Sequence, residues 1–477
     1  MIVFKFLKSR LIFILISIAN FSYTQDKWNL EMCVNRAIEK NISIKQSELD
    51  FKESEINKKN TIGNFIPNIN IGSSHSWNIG LNQNITTGVL ENITTQFSSF
   101  DLNVGVDIYN GLKNIKQLHL ANLRILASQY QLSDMKENIS LLVANSYLQI
   151  LFNKEFIKIQ ESQFEISKSE IDRAKELVLN GVIPRGDLYE FEANLASVEK
   201  TLIDAKNNYL LSKISLAQIL LIEDYENFEI ADNEYEVIYT NILDKSPKEI
   251  FNIAVNNKNE VKLSETNLAI AEKNLEYNKS FLQPRLSAFY SYSTRIAYSD
   301  RLVGSGQYEN IPIGFVESTD QRVFAPFEIS NVVPAKSFAY QFDKNAGQNF
   351  GLSLSIPVFN NFSVRSNINR SKINILKNKN QLIQTKLDLE NTINQAYNDA
   401  KGALKAYNAA KKTLDARKLS FDYAKEKFVL GALNSFDFSQ IKQRFETAQS
   451  DLITSKFDFI FKTKVLEFYF GMPLSIN

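Results

Sequence analysis

The chain has 477 residues with 54 basic and 53 acidic side chains, so its formal net charge is +1 at neutral pH. This balance provides no basic surface of the kind that binds nucleic acid. Two histidines and one cysteine exclude an intrachain disulfide and a zinc cluster of His and Cys ligands. Metal sites built from carboxylates alone stay open, but we predict no metal and no cofactor. Sixteen glycines and nine prolines are few for this length and favour long uninterrupted elements.

The first residues predict an export signal. Three basic side chains among the first ten residues precede an apolar run from Leu11 to Ala19, and small residues follow before Gln25. This pattern is typical of a cleaved secretory signal peptide, here 1–24. The run is too short for a membrane helix, and no later stretch reaches the roughly twenty apolar residues that such a helix needs. We therefore expect an exported protein without a helical anchor.

The remaining chain contains an internal repeat. Identical residues recur without gaps at an offset of 217 near the start of the two halves, as at Pro67 and Pro284. Further along the offset is 250, as at Gly181 and Gly431. Because one lengthened connection accounts for the change, we predict two structural repeats, 25–240 and 241–477. Each has the order helix, two strands, long helix, short helix.

Heptad spacing of apolar residues predicts the helices. Residues 112–180 contain neither Gly nor Pro and predict one helix about 100 Å long. A shorter heptad helix follows after a tight turn, so each copy contains a long antiparallel coiled-coil hairpin. A helix before the strands, from about Leu30 to Phe65 or from Pro247 to Leu282, is expected to cover the rest of the long helix.

Segments 68–109 and 285–359 change to an alternation of period two, with residues such as Leu102 and Leu352 between small or polar neighbours. This predicts four strands of about ten residues, and a long polar loop from Thr294 to Asn349. A soluble half-buried sheet shows the same alternation, so the pattern leaves both environments open. If the apolar faces meet lipid, two copies give eight strands and three give twelve, which leaves room for a channel.

The chain resembles the TolC-like outer-membrane efflux proteins, the outer-membrane factors of export systems. The duplicated order of strands and helices carries this resemblance, together with Leu30-Glu31-Met32-Cys33 and a Gly-x5-Asp motif at both hairpin turns. It implies a mainly α fold with a small β part: a homotrimer with a 12-stranded barrel in the outer membrane and an α-helical tunnel in the periplasm. It also implies outer-membrane lipid, a periplasmic adaptor protein and an inner-membrane RND or ABC transporter as partners.

The resemblance also assigns roles to the hairpin turns. The tip residues expected to contact the adaptor are Gly181, Val182, Ile183 and Asp187 in the first copy and Gly431, Ala432, Leu433 and Asp437 in the second. Similar proteins carry a pore-facing carboxylate at the position of Asp437 and a second one a turn later, where this chain has Gln440. These two residues form the candidate pore constriction. Similar proteins also often close the entrance through a contact between the Asp at position 187 and a tyrosine, which is Phe428 here.

A simpler interpretation of the turns is structural. Each glycine would end a long helix and each aspartate would cap the next one, and we expect this capping for both Asp187 and Asp437.

We expect a passive conduit and not an enzyme, because the sequence has no Gly-rich phosphate loop with Lys and no His-Glu-x-x-His motif. The predicted function is the outer-membrane channel of a tripartite efflux or type I secretion system. The alternative is a periplasmic coiled-coil adaptor or scaffold without a pore. Drugs, metals and proteins are all open as substrates.

Overall fold

A computed structural model describes residues 27–83, 88–231 and 241–472. The predicted signal peptide, 1–24, lies outside these residues. The described chain forms two compact units. The helical unit contains 27–54, most of Arg124–Ala269, and 376–472; the sheet unit contains most of Glu55–Leu123 and all of Ile270–Ile375. Each unit therefore draws residues from both halves of the chain.

The first half follows the predicted order of elements. These are α1 Leu30–Lys40, α2 Ile42–Gly63, β1 Asn68–Gln83, β2 Leu90–Tyr109, α3 Lys113–Leu179 and α4 Arg185–Leu220. The 67 residues of α3 correspond to a helix of about 100 Å. The predicted long helix and its antiparallel hairpin with α4 are confirmed.

The second half repeats this order with additions. Its elements are α5 Pro247–Asn257, α6 Asn259–Lys279, β3 Arg285–Ala297, β4 Arg301–Phe315, β5 Arg322–Val333, α7 Phe338–Lys344, β6 Gly347–Ser355, α8 Ser363–Val429 and α9 Ser435–Phe470. Helix α8 has 67 residues, like α3, and α9 has 36, like α4. None of the helices in the described ranges carries an apolar stretch long enough to cross a membrane.

The helix before each strand pair is broken, so the prediction of single helices over 30–65 and 247–282 is wrong. Helix α1 ends at Lys40 and α5 at Asn257, because the next residues, Asn41 and Lys258, have non-helical ψ angles of 133° and 130°. The Asn41 side chain accepts from the backbone N–H of Ser43 at 2.9 Å and donates to a backbone carbonyl of α4 at 3.1 Å. The amide therefore caps α2 and ties the break to α4, a local use of Asn that heptad spacing does not reveal.

The core of the helical unit lies along the predicted heptad rows. Val143 and Ile150 of α3 are fully buried, as are Ile393 and Ala400 of α8. Full burial of one Val or Ile side chain stabilises the fold by about 1.5–3 kcal/mol. Cys33 is buried in the same cluster as Val143, and burial raises the pKa of its thiol to about 12. Cys33 is therefore a buried thiol near the start of α1.

Four strands of the sheet unit pair antiparallel in the order β1-β2-β3-β6. Strands β1 and β2 have 16 and 20 residues, more than the ten expected, and they extend past the last β2–β3 pair, Phe97 with Ala297. Beyond the last β3–β6 pair, Gln341 of α7 takes the place of β6 beside β3. Its side-chain Nε2 donates to the Ala297 carbonyl at 2.9 Å, and its Oε1 accepts from the Ala297 N–H at 3.0 Å. Helix α7 thus protects an otherwise free strand edge.

The segment predicted as a polar loop, Thr294 to Asn349, is structured. It holds the end of β3, the β4–β5 hairpin, α7 and the start of β6. Strands β4 and β5 form a separate two-stranded sheet. Two register shifts interrupt their pairing, so apolar residues do not stay on one face. The sequence therefore lacks the regular alternation by which the other strands were predicted.

Candidate functional site

One face of the four-stranded sheet is apolar across all four strands. Residues directly opposite each other in antiparallel strands share a face. The register places Ile69, Val104, Tyr290 and Phe350 in one such row. At the two ends of the row, Ile69 is 63% exposed and Phe350 is 77% exposed. Exposed apolar side chains on a hydrogen-bonded sheet are what the lipid-facing side of a membrane barrel requires.

The opposite face is mostly small and polar, with Phe97 of β2 and Phe289 of β3 as large apolar exceptions. Asn70, Asn103, Ser291 and Asn349 form a row across the same four strands. Glycines occur on this face too. Gly72 of β1 lies opposite Asp101 of β2, and Gly351 of β6 lies opposite Phe289 of β3. Alternation of apolar and polar faces along every strand is the pattern of a barrel with a polar interior.

The two hairpin turns have the same backbone geometry. The N–H groups of Gly181 and Val182 donate to carbonyls in the last turn of α3 at 3.1 and 2.8 Å. Those of Gly431 and Ala432 donate to the last turn of α8 at 3.1 and 2.9 Å. This double hydrogen bond needs a left-handed residue, and Gly181 and Gly431 have φ values of 69° and 72°. The prediction that each glycine ends a long helix is confirmed.

The tip residues differ in exposure. The exposed ones are Gly181, Val182, Gly431, Ala432 and Asp437, whereas Asp187 is half-buried. Ile183 and Leu433 are instead partly buried and pack against a buried apolar cluster. The cluster contains side chains of α3, α4, α8 and α9, including Phe191 and Phe438. It therefore joins the two hairpins near their ends.

The predicted capping by aspartates is wrong at both turns. Helix α4 begins after Pro184, which makes no side-chain capping bond. Helix α9 begins after Asn434, whose Oδ1 accepts from the backbone N–H of Asp437 at 2.8 Å. Asp437 lies in the first turn, and its Oδ2 accepts from the Asn434 side-chain amide at 2.8 Å. Its carboxylate is therefore held near the positive end of the helix dipole without being the cap.

Asp187 contacts the other hairpin. Ser435, buried in the first turn of α9, donates its hydroxyl to Oδ2 of Asp187 at 2.6 Å. Phe428, which stands where similar proteins have a tyrosine, stacks on Phe438 with ring centroids 4.6 Å apart. Ser435 could not be predicted from the sequence, because this bond joins residues 248 positions apart. The lack of a hydroxyl at Phe428 was the one signal that Asp187 needed another partner.

Asp437 and Gln440 belong to a longer polar stripe on α9. The positions 437, 440, 444, 447 and 451 are three or four residues apart and so lie on one side of the helix. All five side chains, Asp437, Gln440, Arg444, Thr447 and Asp451, are exposed. Phe438 and Ala448 are buried on a different side of the same helix. The two candidate constriction residues thus share one accessible face.

A buried charged cluster lies between α3 and α9. Lys442 is 2% exposed and its ammonium lies 2.5 Å from Glu170, 2.8 Å from Ser167 and 3.6 Å from Glu446. Burial raises the pKa of the Glu446 carboxyl, an effect that the nearby Lys442 ammonium only partly opposes. The Oε1 atom of Glu446 is buried without a hydrogen-bond partner. The cluster therefore holds two carboxyl groups for one ammonium.

Within residues 27–83, 88–231 and 241–472, no group of three or more His, Cys, Asp or Glu side chains is arranged to hold a metal ion. The distinctive chemical features of the described chain are two surfaces, the amphipathic sheet and the paired hairpin tips.

Known proteins share this fold. The solved structure of CusC matches with a TM-score of 0.75 and 14% identity, over 95% of this chain and 96% of that chain. VceC, an outer membrane protein of Vibrio cholerae, matches with a TM-score of 0.72 and 12% identity over 94% and 97%. The CmeC outer membrane channel of Campylobacter jejuni matches with a TM-score of 0.73 and 15% identity over 94% and 90%. A comparison with curated protein sequences found no match.

The sequence itself identifies the family. Residues 33–220 and 251–458 match the outer membrane efflux protein family. The matched residues contain all of α3, α4 and α8 and most of α9, so they cover both hairpins and the sheet. The chain therefore belongs to the outer membrane efflux protein family, as an efflux channel protein of the outer membrane that extends into the periplasm.

Proposed function

We propose that three copies of this chain form the outer-membrane conduit of a tripartite efflux or type I secretion system. The observation that carries the proposal is the four-stranded sheet with one exposed apolar face and two free outer strands, β1 and β6. Strand directions alternate along the sheet, so β6 of one copy can pair antiparallel with β1 of the next. Three copies give twelve strands and a water-filled interior, whereas eight strands would be filled by side chains.

Apolar stripes on the helices support the same assembly. The exposed apolar side chains of α2 include Ile42, Leu49 and Ile56, and those of α8 include Ile373, Leu376, Ile383 and Leu387. Their spacing of three, four or seven residues is that of a coiled-coil contact. Exposed apolar surface of this extent indicates a partner. We assign both stripes to contacts between neighbouring copies.

The hairpin tips are the proposed docking site for a periplasmic adaptor, which would connect the channel to an inner-membrane RND or ABC transporter. Gly181, Val182, Gly431 and Ala432 are exposed there and available for contact. Ile183 and Leu433 would act by fixing the shape of the turns, since they pack inward. Asp187 and Asp437 border the same surface. In this role the chain conducts substrates and catalyses no reaction.

Asp437 and Gln440 are the proposed constriction. Three exposed carboxylates in a narrow entrance favour cations over anions. We expect Asp437→Ala to reduce the cation preference of the channel, measured as the reversal potential of reconstituted protein under a KCl gradient. Gln440→Ala is the matched control, because it shortens a side chain of the same stripe without removing charge. Unchanged ion selectivity in Asp437→Ala would exclude this residue from the constriction.

The proposed trimer in the outer membrane is tested by how the protein is extracted and by the mass of the extracted particle. We expect the mature protein to leave outer membranes only with detergent, to have the mass of three chains by light scattering, and to conduct ions in planar bilayers. Release by urea or high salt as a monodisperse single chain would instead support a periplasmic scaffold without a pore.

A further inference from the structure

A groove between α8 and α9 is lined by two arginines, Arg417 and Arg444. It has a volume of about 430 Å³. Arg417 enters it from α8 and Arg444 from α9. In the part of the chain that the structure describes, neither guanidinium has a carboxylate within 4.0 Å, although other basic residues on these helices, such as Lys442 and Lys462, form ion pairs. The two guanidinium groups are therefore free to bind a ligand.

The other lining groups are small and polar. They are the side chains of Thr413, Gln440, Gln443 and Thr447, with Ala448 and Asp451. The two threonines and the two glutamines are uncharged, and each offers a hydroxyl or amide donor. Because Asp451 supplies the single carboxylate of the lining, the groove carries a net charge of about +1 from its two arginines and one aspartate.

We propose that this groove binds the oxyanion of a solute, a phosphate or a carboxylate group. The planar guanidinium pairs with such oxygens through two parallel hydrogen bonds, and the amides and hydroxyls can fill the remaining acceptor positions. Ala448 is the sole apolar side chain of the lining. A protein segment would need apolar or aromatic anchor pockets, so a small anionic solute fits the groove better.

The position of the groove gives the binding a role in transport, and this step rests on the proposed channel function. Arg444 lies seven residues beyond Asp437 on the same exposed stripe of α9, which is about 10 Å along the helix. When Asp437 faces the lumen, Arg444 faces it as well. In a trimer, six guanidinium groups then follow three carboxylates along the path, so an anionic substrate that has passed the entrance meets a site that binds it.

Binding can be measured on the full detergent-purified protein with pyrophosphate as the probe, by titration calorimetry at low ionic strength. We expect pyrophosphate to bind, and Arg417→Gln and Arg444→Gln each to weaken binding about tenfold, as loss of a charge-assisted hydrogen bond does. Arg417→Lys should bind more tightly than Arg417→Gln, because lysine keeps the positive charge but lacks the two parallel N–H donors of the guanidinium. Lys418→Gln is the control, because it removes one exposed charge beside Arg417 that does not line the groove.

The outcomes separate this inference from the channel function. If wild-type protein conducts ions in bilayers but does not bind pyrophosphate, or binds it equally in both arginine variants, the groove is not an anion site and the channel stands. If pyrophosphate binding depends on both arginines in protein that does not conduct, the groove stands and the channel proposal fails. In conducting protein we further expect pyrophosphate to reduce the current of the wild type and to have about tenfold less effect on Arg444→Gln.

Discussion

Ser435 ties the two hairpins together near their ends. It is 3% exposed, and its hydroxyl reaches the Asp187 carboxyl of the other hairpin at 2.6 Å. A hydrogen bond to a charged group contributes about 1.5–3 kcal/mol. In the proposed channel this bond would hold the entrance closed, the role that the resemblance to TolC-like proteins assigns to a tyrosine at the position of Phe428.

Ser435→Ala should therefore increase the current through the reconstituted channel. Removing the hydroxyl leaves Asp187 without its partner on α9 and weakens the closed arrangement by about 1.5–3 kcal/mol. Single-channel recordings would show this as a higher mean conductance. Ser420→Ala, at an exposed position on α8, should leave the current unchanged. A Ser435→Ala trimer with wild-type conductance would show that the bond does not hold the entrance.

Glu446 lowers the stability of the fold at neutral pH. Burial raises the pKa of its carboxyl above the usual value of 4.5, while the unfolded chain returns the group to that value. As the pH falls, Glu446 is therefore protonated at a higher pH in the folded protein than in the unfolded chain. The unfavourable contribution is present above the raised pKa and disappears as the pH falls through it towards 4.5.

Glu446→Gln should consequently raise the midpoint temperature of unfolding at pH 7. This gain should shrink as the pH falls towards the ordinary pKa of a glutamate. The amide avoids the burial of a second carboxylate next to Glu170, while Lys442 keeps its closer partner at 2.5 Å. Thermal unfolding between pH 7 and pH 4 measures the difference. Glu426→Gln, exposed on α8, is the control. A gain that does not change with pH would contradict this account.

Only part of the candidate site could be predicted from the sequence. Gly181 and Gly431 were predicted correctly as helix ends, because a left-handed position after a heptad helix has a strong sequence signal. The capping roles predicted for Asp187 and Asp437 were wrong, because the N-cap positions of α4 and α9 are occupied by Pro184 and Asn434. Contacts between hairpins, as at Ser435 and Lys442, depend on how helices pack and leave no periodic signal along the chain.

The long helices were predictable and the breaks were not. The absence of Gly and Pro from 112–180 predicted both ends of α3 to within one residue, and the heptad spacing supported a helix over many turns. The breaks at Asn41 and Lys258 depend on single residues and their contacts. The β4–β5 hairpin was missed because its register shifts remove the alternation on which strand prediction relies.

Gly402 inside α8 and Gly431 in the turn that follows it should respond to alanine in opposite ways. Gly402 lies inside the helix with open space around the position of an added Cβ, so Gly402→Ala should stabilise the helical unit by about 0.5–1 kcal/mol. Gly431 has a φ of 72°, so Gly431→Ala should destabilise the hairpin by about 1–2 kcal/mol. Unfolding midpoints of the two variants give the comparison. A midpoint raised by Gly431→Ala would contradict the assigned turn geometry.

The complete channel depends on surfaces that a single chain leaves uncovered. The sheet has an exposed apolar face, and α2 and α8 carry exposed apolar stripes, for example at Leu49, which is 58% exposed, and Ile383, which is 51% exposed. In the proposed trimer, neighbouring copies would cover the helical stripes, and closure of the barrel would turn the apolar face of the sheet towards lipid. The assembly is therefore expected to be cooperative, with the helical contacts and the strand pairing between copies supporting each other.

Ile383→Glu should weaken the trimer. Contact between copies would bury three unpaired carboxylates, one in each copy, and each costs several kcal/mol when removed from water. The temperature at which the detergent-solubilised trimer dissociates, followed by light scattering, should fall clearly below that of the wild type. Gln381→Glu adds the same charge two residues earlier, at an exposed position about 200° around the helix, and should leave dissociation unchanged. If Ile383→Glu dissociates at the wild-type temperature, the α8 stripe does not contact a neighbouring copy, and the helices must meet through another surface.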